Sequence, residues 1–558
     1  MTDAVSENRI SRNLFLSNPF VLAAAFLIAL VVFEYFFFFW SYPWLTFLRH
    51  WEAANYSRLL IFCGLSLGST FLLFAFVWAA FSARAMLKPV YFVLFSIVVA
   101  VEYGYYFAFR RFSTLIDFAT AMFTGVDLQM ANEAMYAYIN WLALIPIFCF
   151  GILLMVSRRT VRRDFAVLAL LVAAFISCFA ASTYFTSNQY YAPSFSNFAR
   201  TAISYPTGWY LGTVNGPPQG LVYAAPRASP SYSSDDSATN NIVFIVDESV
   251  RGDRLSINGH TRPTTPTLDE LSRKGSIANW GIAVSGTTCS HTSNPLLLTG
   301  LTELPDMRFE VYRWPTIFQY AVASGYKTHY FDAHTDVQWL GKASDISTYG
   351  SWTKASDLGE IPRYERDAEI ARRVKAILET STGNFIWVHK YGVHLRYENS
   401  FPNDLYGRSL DKSNAEYDLA QPGEALRDSY DQALAYNLES FFSTLFANGP
   451  TANTTYIYTS DHGQSLRDSG EVSSHCNDSR SAAIVPLMMI GEKIPSLDTQ
   501  FKASHANIFA TLLDLMNYPE SEREFQYRKS LLKATASDSQ PRFFYTEQLH
   551  LAQKHAFD

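Results

Sequence analysis

Three short segments, far apart in the chain, carry residue types that together could activate a hydroxyl with a metal ion. Ser290-His-Thr-Ser-Asn-Pro-Leu-Leu-Leu-Thr-Gly300 sets a hydroxyl ahead of an apolar, helix-like stretch closed by Thr-Gly. A helix N-terminus offers free N–H groups and the positive end of the helix dipole, a favourable setting for a phosphate. Val246-Asp-Glu-Ser249 supplies the carboxylate of Glu248, and Ser460-Asp-His-Gly463 supplies the adjacent pair Asp461 and His462. Singly each segment is weak, because Ser/Thr-rich turns before helices usually act only as caps. Together they offer two carboxylates, an imidazole and a hydroxyl oxygen.

The elements around these residues explain how they could meet. Asn241-Ile-Val-Phe-Ile-Val246 is a continuous apolar run, as expected of a strand buried on both faces. Similar runs occur at 385–388, 454–458 and 482–490, with helical patterns between them at about 312–324, 366–379, 427–447 and 505–516. Strands alternating with helices predict a parallel, doubly wound sheet. Such sheets bind ligands at the carboxyl ends of their strands. Glu248, the segment His389 to His394, and Asp461-His462 each follow a predicted strand, so the fold would gather them at one edge.

The first part of the chain differs sharply. Five segments, at about 19–40, 59–83, 89–109, 139–157 and 165–184, are apolar and long enough to span a bilayer, which needs roughly 20 residues each. With the N-terminus inside, the inner segments hold eight basic residues (Arg9, Arg12, Arg84, Lys88, Arg158, Arg159, Arg162 and Arg163). The outer loops then hold four, Arg49, Arg58, Arg110 and Arg111, a bias that favours this orientation. Five crossings would place the remainder outside the cytoplasm, where ATP-dependent chemistry is excluded. The expected organisation is a five-helix transmembrane domain over 1–184, a bridging segment and linker over 185–240, and a catalytic domain over 241–558. Within the bridge, Ser229-Pro-Ser-Tyr-Ser-Ser-Asp-Asp-Ser237 reads as a low-complexity linker. A net charge of −6 without a basic tract argues against a nucleic-acid partner.

The segments Val246-Asp-Glu-Ser-Val-Arg-Gly-Asp-Arg-Leu-Ser-Ile-Asn-Gly259, Arg262-Pro-Thr-Thr-Pro266, Tyr391-Gly-Val-His394 and Ser460-Asp-His-Gly-Gln-Ser-Leu466 resemble those of membrane phosphoethanolamine transferases. The five apolar N-terminal segments fit the same family, and the resemblance extends more distantly to sulfatases and lipoteichoic acid synthases. It implies an α-helical transmembrane domain of five spans followed by an α/β alkaline-phosphatase/sulfatase-like domain. It also implies Zn2+, or another divalent ion such as Mn2+, held by Glu248, Asp461, His462 and the nucleophile's oxygen. His394 and His475 match family histidines near the transferred phosphate, and His334 lies where relatives keep a polar substrate contact. His389, His260 and His505 are expected to be structural.

The nucleophile departs from the family's usual threonine. Counting back from Leu298-Thr-Gly300, or from Ser293-x-Pro295, lands on Ser290; Thr288 fits only with two inserted residues. Cys289 lacks the proline and arginine that a sulfatase cysteine needs for conversion to formylglycine, since His291 and Ser293 stand in their places. Cys289 and Cys476 each neighbour an expected site residue, and either a disulfide or two free thiols fits the sequence. The implied reaction takes phosphoethanolamine from phosphatidylethanolamine to a lipopolysaccharide or other envelope glycan through a phosphoenzyme. The implied location is the bacterial inner membrane with the catalytic domain in the periplasm. Phosphoglycerol transfer from phosphatidylglycerol and simple phosphodiester hydrolysis are the competing readings.

Overall fold

The computed structural model describes residues 18–38, 56–109, 141–157, 164–187, 202–203, 206–207, 210, 227–234, 236–302, 313–334, 346–393, 397, 400–402, 423–468, 475–548 and 551–558. The chain divides into two compact units, Met1–Leu221 and Val222–Asp558.

The first unit contains apolar helices α1 (Pro19–Phe38), α2 (Tyr56–Ser82), α3 (Lys88–Phe109), α4 (Leu144–Val156) and α5 (Asp164–Ser187). They occupy the five segments expected from hydropathy. One stretch among the described residues, Cys63–Ser82, is long and apolar enough to cross a membrane. The apolar parts of three others are shorter: Pro19–Glu34, Leu144–Val156 and Val167–Ala181. The helices pack through an aromatic core in which Phe95 and Phe150 stack at 4.2 Å and Phe26 meets Phe150 at 5.4 Å. The Lys88 ammonium closes the C-terminus of α4, donating to the carbonyls of Leu154 and Ser157 at 2.6 and 2.9 Å.

The second unit is built on a seven-stranded sheet in the order β2-β7-β6-β1-β5-β3-β4. The strands are β1 (Asn241–Asp247), β2 (Ile277–Val284), β3 (Lys327–Asp332), β4 (Ser351–Thr353), β5 (Asn384–His389), β6 (Thr454–Ser460) and β7 (Ile484–Gly491). β1 lies at the centre with all seven residues buried. Ile242, Phe244 and Val246 enter one apolar cluster, and Val243 and Ile245 enter the other, as a period of two with both faces covered requires. The first cluster takes side chains from helices α7 (Ser290–Thr299), α8 (Ile317–Ala323) and α11 (Ile508–Leu515). The second takes them from α6 (Pro266–Arg273), α9 (Arg363–Thr380) and α10 (Gly423–Leu445). The sheet is thus doubly covered, as the sequence pattern predicts.

The sheet is mixed rather than wholly parallel. β1, β3, β4, β5 and β6 run parallel, but β7 pairs antiparallel with both β6 and β2. A parallel return needs a crossover of a dozen or more residues, usually helical. Among the described residues between β6 and β7 the one helical element is the 3-10 turn Arg480–Ala483, and β7 returns antiparallel to β6. β2, β3 and the short β4 were not evident in sequence, nor was the hairpin of β8 (Phe543–Gln548) and β9 (Leu551–Ala556). The segment read as a linker is pinned to the domain: Ser234 N–H donates to Ala323 O at 2.7 Å, and Tyr232 packs edge-on against Tyr518 at 5.4 Å.

The register sets the functional edge. Val246 pairs with His389, Asp247 with Ser460, and Asp332 with His389, so four parallel strands end side by side.

Candidate metal centre

Glu248 follows β1 directly, and Asp461-His462 follow β6. The turn after Glu248 is tight: Ser249 adopts a left-handed φ of 61°, its hydroxyl donates to Glu248 Oε1 at 2.7 Å, and its N–H donates to Asp461 Oδ1 at 3.2 Å. Two glycines let neighbouring backbone close on these turns. A Cβ at Gly392 (φ +62°) would stand 2.5 Å from the Glu248 carbonyl, and one at Gly463 would stand 2.4 Å from Ile484 O.

Ser290 opens α7, with its Oγ 3.1 and 3.3 Å from the two Glu248 oxygens and 2.9 Å from His462 Nε2. His462 Nδ1–H donates to the carbonyl of Gly463 at 2.6 Å. That bond fixes the tautomer and turns the Nε2 lone pair toward Ser290 and Glu248. Ser293 Oγ donates to Asp461 O at 2.5 Å, tying α7 to the end of β6.

Glu248, Asp461 and His462 are buried, and each offers a ligand atom within 4.8 Å of the others. Burial raises the Glu248 carboxyl above its ordinary value despite hydrogen bonds from Ser249 and Ser290 and the nearby His389. Burial and then the Glu248 charge raise Asp461 to about 6. Two buried carboxylates and an imidazole converge here, and their O, O and N donors suit a divalent cation. The three residues therefore form a site fit to hold a divalent metal, with Ser290 Oγ beside it.

Thr288 points elsewhere: its Oγ1 donates to Asn477 O at 2.8 Å. Of the two candidate hydroxyls, it is Ser290 that meets Glu248 and His462. His475 stacks on His462 with ring centroids 4.6 Å apart, and its Nδ1 lies 3.3 Å from Gln464 Oε1. His394 lies outside the described residues. Cys289 and Cys476 form a disulfide that joins the turn before Ser290 to the residue after His475. The Cys476 N–H adds a bond to Thr288 O at 2.6 Å.

His260 and His505 are structural, as expected. His260 Nε2 meets Asp431 Oδ2 at 3.1 Å, and His505 is buried with Nε2 2.9 Å from Ser460 O. Burial takes His505 down to about 3, so it is neutral. His389, also expected to be structural, lies with His334 and Glu248 in a second group of possible ligands. Burial pushes its imidazolium down, but Asp332, Glu248 and Asp461 together outweigh this and hold it up at about 9. Its position at the last residue of β5 was the available signal. Asp332 was missed because β3 was not recognised.

The Sulfatase family profile matches residues 240–518, half of the 558-residue chain. The chain belongs to the sulfatase family. Among curated proteins, this sulfatase-family chain is similar to phosphoethanolamine transferase EptC of Escherichia coli O18:K1:H7. That match is 24% identical over 263 residues, 44% of this chain and 43% of the relative. It is also similar to phosphatidylethanolamine transferase Mcr-1 of Escherichia coli, 22% identical over 271 residues, 45% of this chain and 48% of the relative. The match thus spans less than half the length of these relatives. Among solved structures, lipooligosaccharide phosphoethanolamine transferase A (EptA) of Neisseria meningitidis, an integral membrane protein, aligns at 16% identity. It gives a TM-score of 0.51 and covers 81% of this chain and 90% of that chain, a likeness of fold. In this sulfatase-family member the disulfide leaves no free thiol at Cys289, so the hydroxyl of Ser290 is the group presented at the helix start.

Proposed function

We propose that the chain transfers phosphoethanolamine from phosphatidylethanolamine to a hydroxyl or phosphate of lipopolysaccharide or another envelope glycan. The observation that carries this reading is the placement of Ser290 Oγ at the start of α7, 2.9 Å from His462 Nε2 and 3.1 Å from Glu248. The names of the curated relatives, both transferases of this headgroup or of its parent lipid, support the choice of substrate.

Glu248, Asp461 and His462 would hold the cation, taken to be Zn2+ with Mn2+ as the alternative. When bound, it supplies Lewis acidity that lowers the pKa of a neighbouring hydroxyl. Ser290 Oγ attacks phosphorus as its proton passes to solvent water, the new O–P bond forms, and the P–O bond to diacylglycerol breaks. The departing alkoxide takes a proton, for which His475 is the assigned donor. In the second half the acceptor's oxygen loses its proton to His475 and attacks phosphorus. The Ser290 O–P bond breaks, and the serine recovers a proton from solvent water. The α7 N-terminus orients free N–H groups toward the phosphoryl oxygens. His394 is assigned to the same phosphate by family resemblance. The five apolar helices are assigned as membrane spans that keep the catalytic domain, on the periplasmic side, near its lipid donor.

The test uses the purified full-length chain with phosphatidylethanolamine in mixed micelles. Release of diacylglycerol with a phosphoethanolamine gain in intact protein mass is expected. Release of free phosphoethanolamine with no protein adduct would instead mark a hydrolase, and an adduct formed only with phosphatidylglycerol would mark a phosphoglycerol transferase.

A further inference from the structure

We propose that Glu248, His334 and His389 form a second divalent-cation site that shares Glu248 with the first, making the centre binuclear. The inference rests on the reading of Glu248 as a metal ligand and extends it to two residues that reading leaves unused.

Each of the three offers a ligand atom, and these atoms lie within 4.8 Å of one another. Their positions are fixed by backbone that cannot easily move. His389 is the last residue of β5, in register with Val246 of β1 on one side and Asp332 of β3 on the other. Glu248 and His334 lie two residues beyond those partners. All three side chains therefore leave the same edge of three adjacent strands.

Asp332 supplies the support expected behind metal-binding histidines. It is fully buried, and its Oδ1 lies 3.4 Å from His389 Nδ1 while accepting the backbone N–H of His334 at 2.8 Å. Tyr330 donates its hydroxyl to Asp332 Oδ2 at 3.1 Å. Asp332 thus faces the Nδ1 side of the His389 ring at ion-pair distance, and neither ring nitrogen has a hydrogen-bond partner among the described residues. Both nitrogens are buried, in a residue only 2% exposed. A buried polar atom without a partner is costly, so an ion-binding role gives it a function. The His334 and His389 rings stack nearly parallel, 22° apart with centroids at 4.8 Å, so the two imidazoles lie side by side.

Two imidazoles and one carboxylate form a borderline-soft set suited to zinc-type ions, with three protein ligands and an open position. Paired cations in such centres share the charge of phosphoryl oxygens. The rival account is a protonated His389 held as a simple ion pair by Asp332, which binds no metal.

The deciding experiment measures bound metal in the detergent-purified full-length protein by equilibrium dialysis against Zn2+, followed by elemental analysis. Two ions per chain are expected in wild type, and one in His334→Ala, His389→Gln or Asp461→Ala. Co2+-loaded wild type should show spin coupling between two ions, and His334→Ala should show the spectrum of an isolated ion. If His389→Gln does not fold, the wild-type count and the His334→Ala comparison decide alone, with circular dichroism as the check on folding. One ion in wild type, unchanged in folded His334→Ala, overturns the second site. If phosphoenzyme still forms in that protein, the transfer reading stands without it. Active protein with no bound ion would contradict both.

Discussion

Ser290 Oγ and His462 Nε2 lie 2.9 Å apart although 172 residues separate them in sequence. The contact is possible because α7 is tied to the end of β6 by the Ser293–Asp461 hydrogen bond, and because His462 spends its other nitrogen on the Gly463 carbonyl. The central chemical claim depends on this placement of a proposed metal-ligating nitrogen beside a hydroxyl at a helix start.

Metal binding should weaken in acid. In the metal-free protein Asp461 titrates at about 6, raised from its ordinary 3.8 by burial and by Glu248. Above that pH its carboxylate is charged and ready to ligate; below it, a cation must displace a proton. Affinity should therefore fall about tenfold per pH unit for each proton displaced as pH drops from 6 to 5. The same shift destabilises the folded metal-free chain as pH rises from 3.8 through 6, because folding then holds a charge in a buried place. Added metal should raise the melting temperature more at pH 7.5 than at pH 5. Chelator-competition titrations and thermal melts across that range check both, and a flat affinity profile would contradict the assignment.

The disulfide should be required for activity. Cys289 precedes Ser290, the proposed nucleophile, and Cys476 follows His475, with the Thr288–Asn477 and Cys476–Thr288 hydrogen bonds reinforcing the junction. Cys289→Ser with Cys476→Ser should cost about 2–5 kcal/mol of stability. Turnover should fall by more than the folded fraction explains, because His475 is no longer pinned over His462. Activity measured with and without dithiothreitol tests it; full activity in the reduced, folded protein would refute the positioning role.

A buried ion pair underlies the site. Lys390 Nζ lies 2.6 Å from Asp247 Oδ2 and 2.9 Å from Asn437 Oδ1, with Lys390 and Asp247 both fully buried. Lys390→Met leaves the Asp247 charge enclosed and should destabilise the domain by about 3–5 kcal/mol. Asp247→Asn combined with Lys390→Met should recover much of that loss in chemical denaturation. Equal destabilisation in the single and double variants would show that lost packing, not the orphaned charge, is responsible.

Much of this arrangement was legible in sequence, and the reasons are particular. The buried central strands announce themselves because β1 and β5 must be apolar on both faces, and Glu248, Asp461 and His462 each follow such a run. β3 escaped notice because Lys327-Thr-His-Tyr-Phe-Asp332 carries polar residues at three of its first positions and reads as neither apolar nor alternating. With β3 unseen, Asp332 had no place at the sheet edge, and His389 had no carboxylate to orient it. β2 is interrupted at Gly281, where its register with β7 shifts, and that irregularity hides the strand. The disulfide could not be read from spacing, since Cys289 and Cys476 are 187 residues apart and meet only once α7 and the loop before β7 are in place.

The proposed membrane orientation rests on the excess of basic residues in the segments taken as inner, eight against four. A reporter active only outside the cytoplasm, fused after Asp558, should be active, and a cytoplasm-dependent reporter at the same place should be silent. The reverse pattern would remove the phospholipid-headgroup donor from reach and overturn the orientation.

The most direct test of the account is the location of the phosphoenzyme. Wild type and variants are incubated with phosphatidylethanolamine, quenched in acid, digested and mapped by mass spectrometry. The adduct is expected on Ser290, absent from Ser290→Ala and retained in Thr288→Ala, with Ser290→Thr keeping part of it. An adduct on Thr288 that survives Ser290→Ala would contradict the assignment and move the nucleophile to the other side of Cys289.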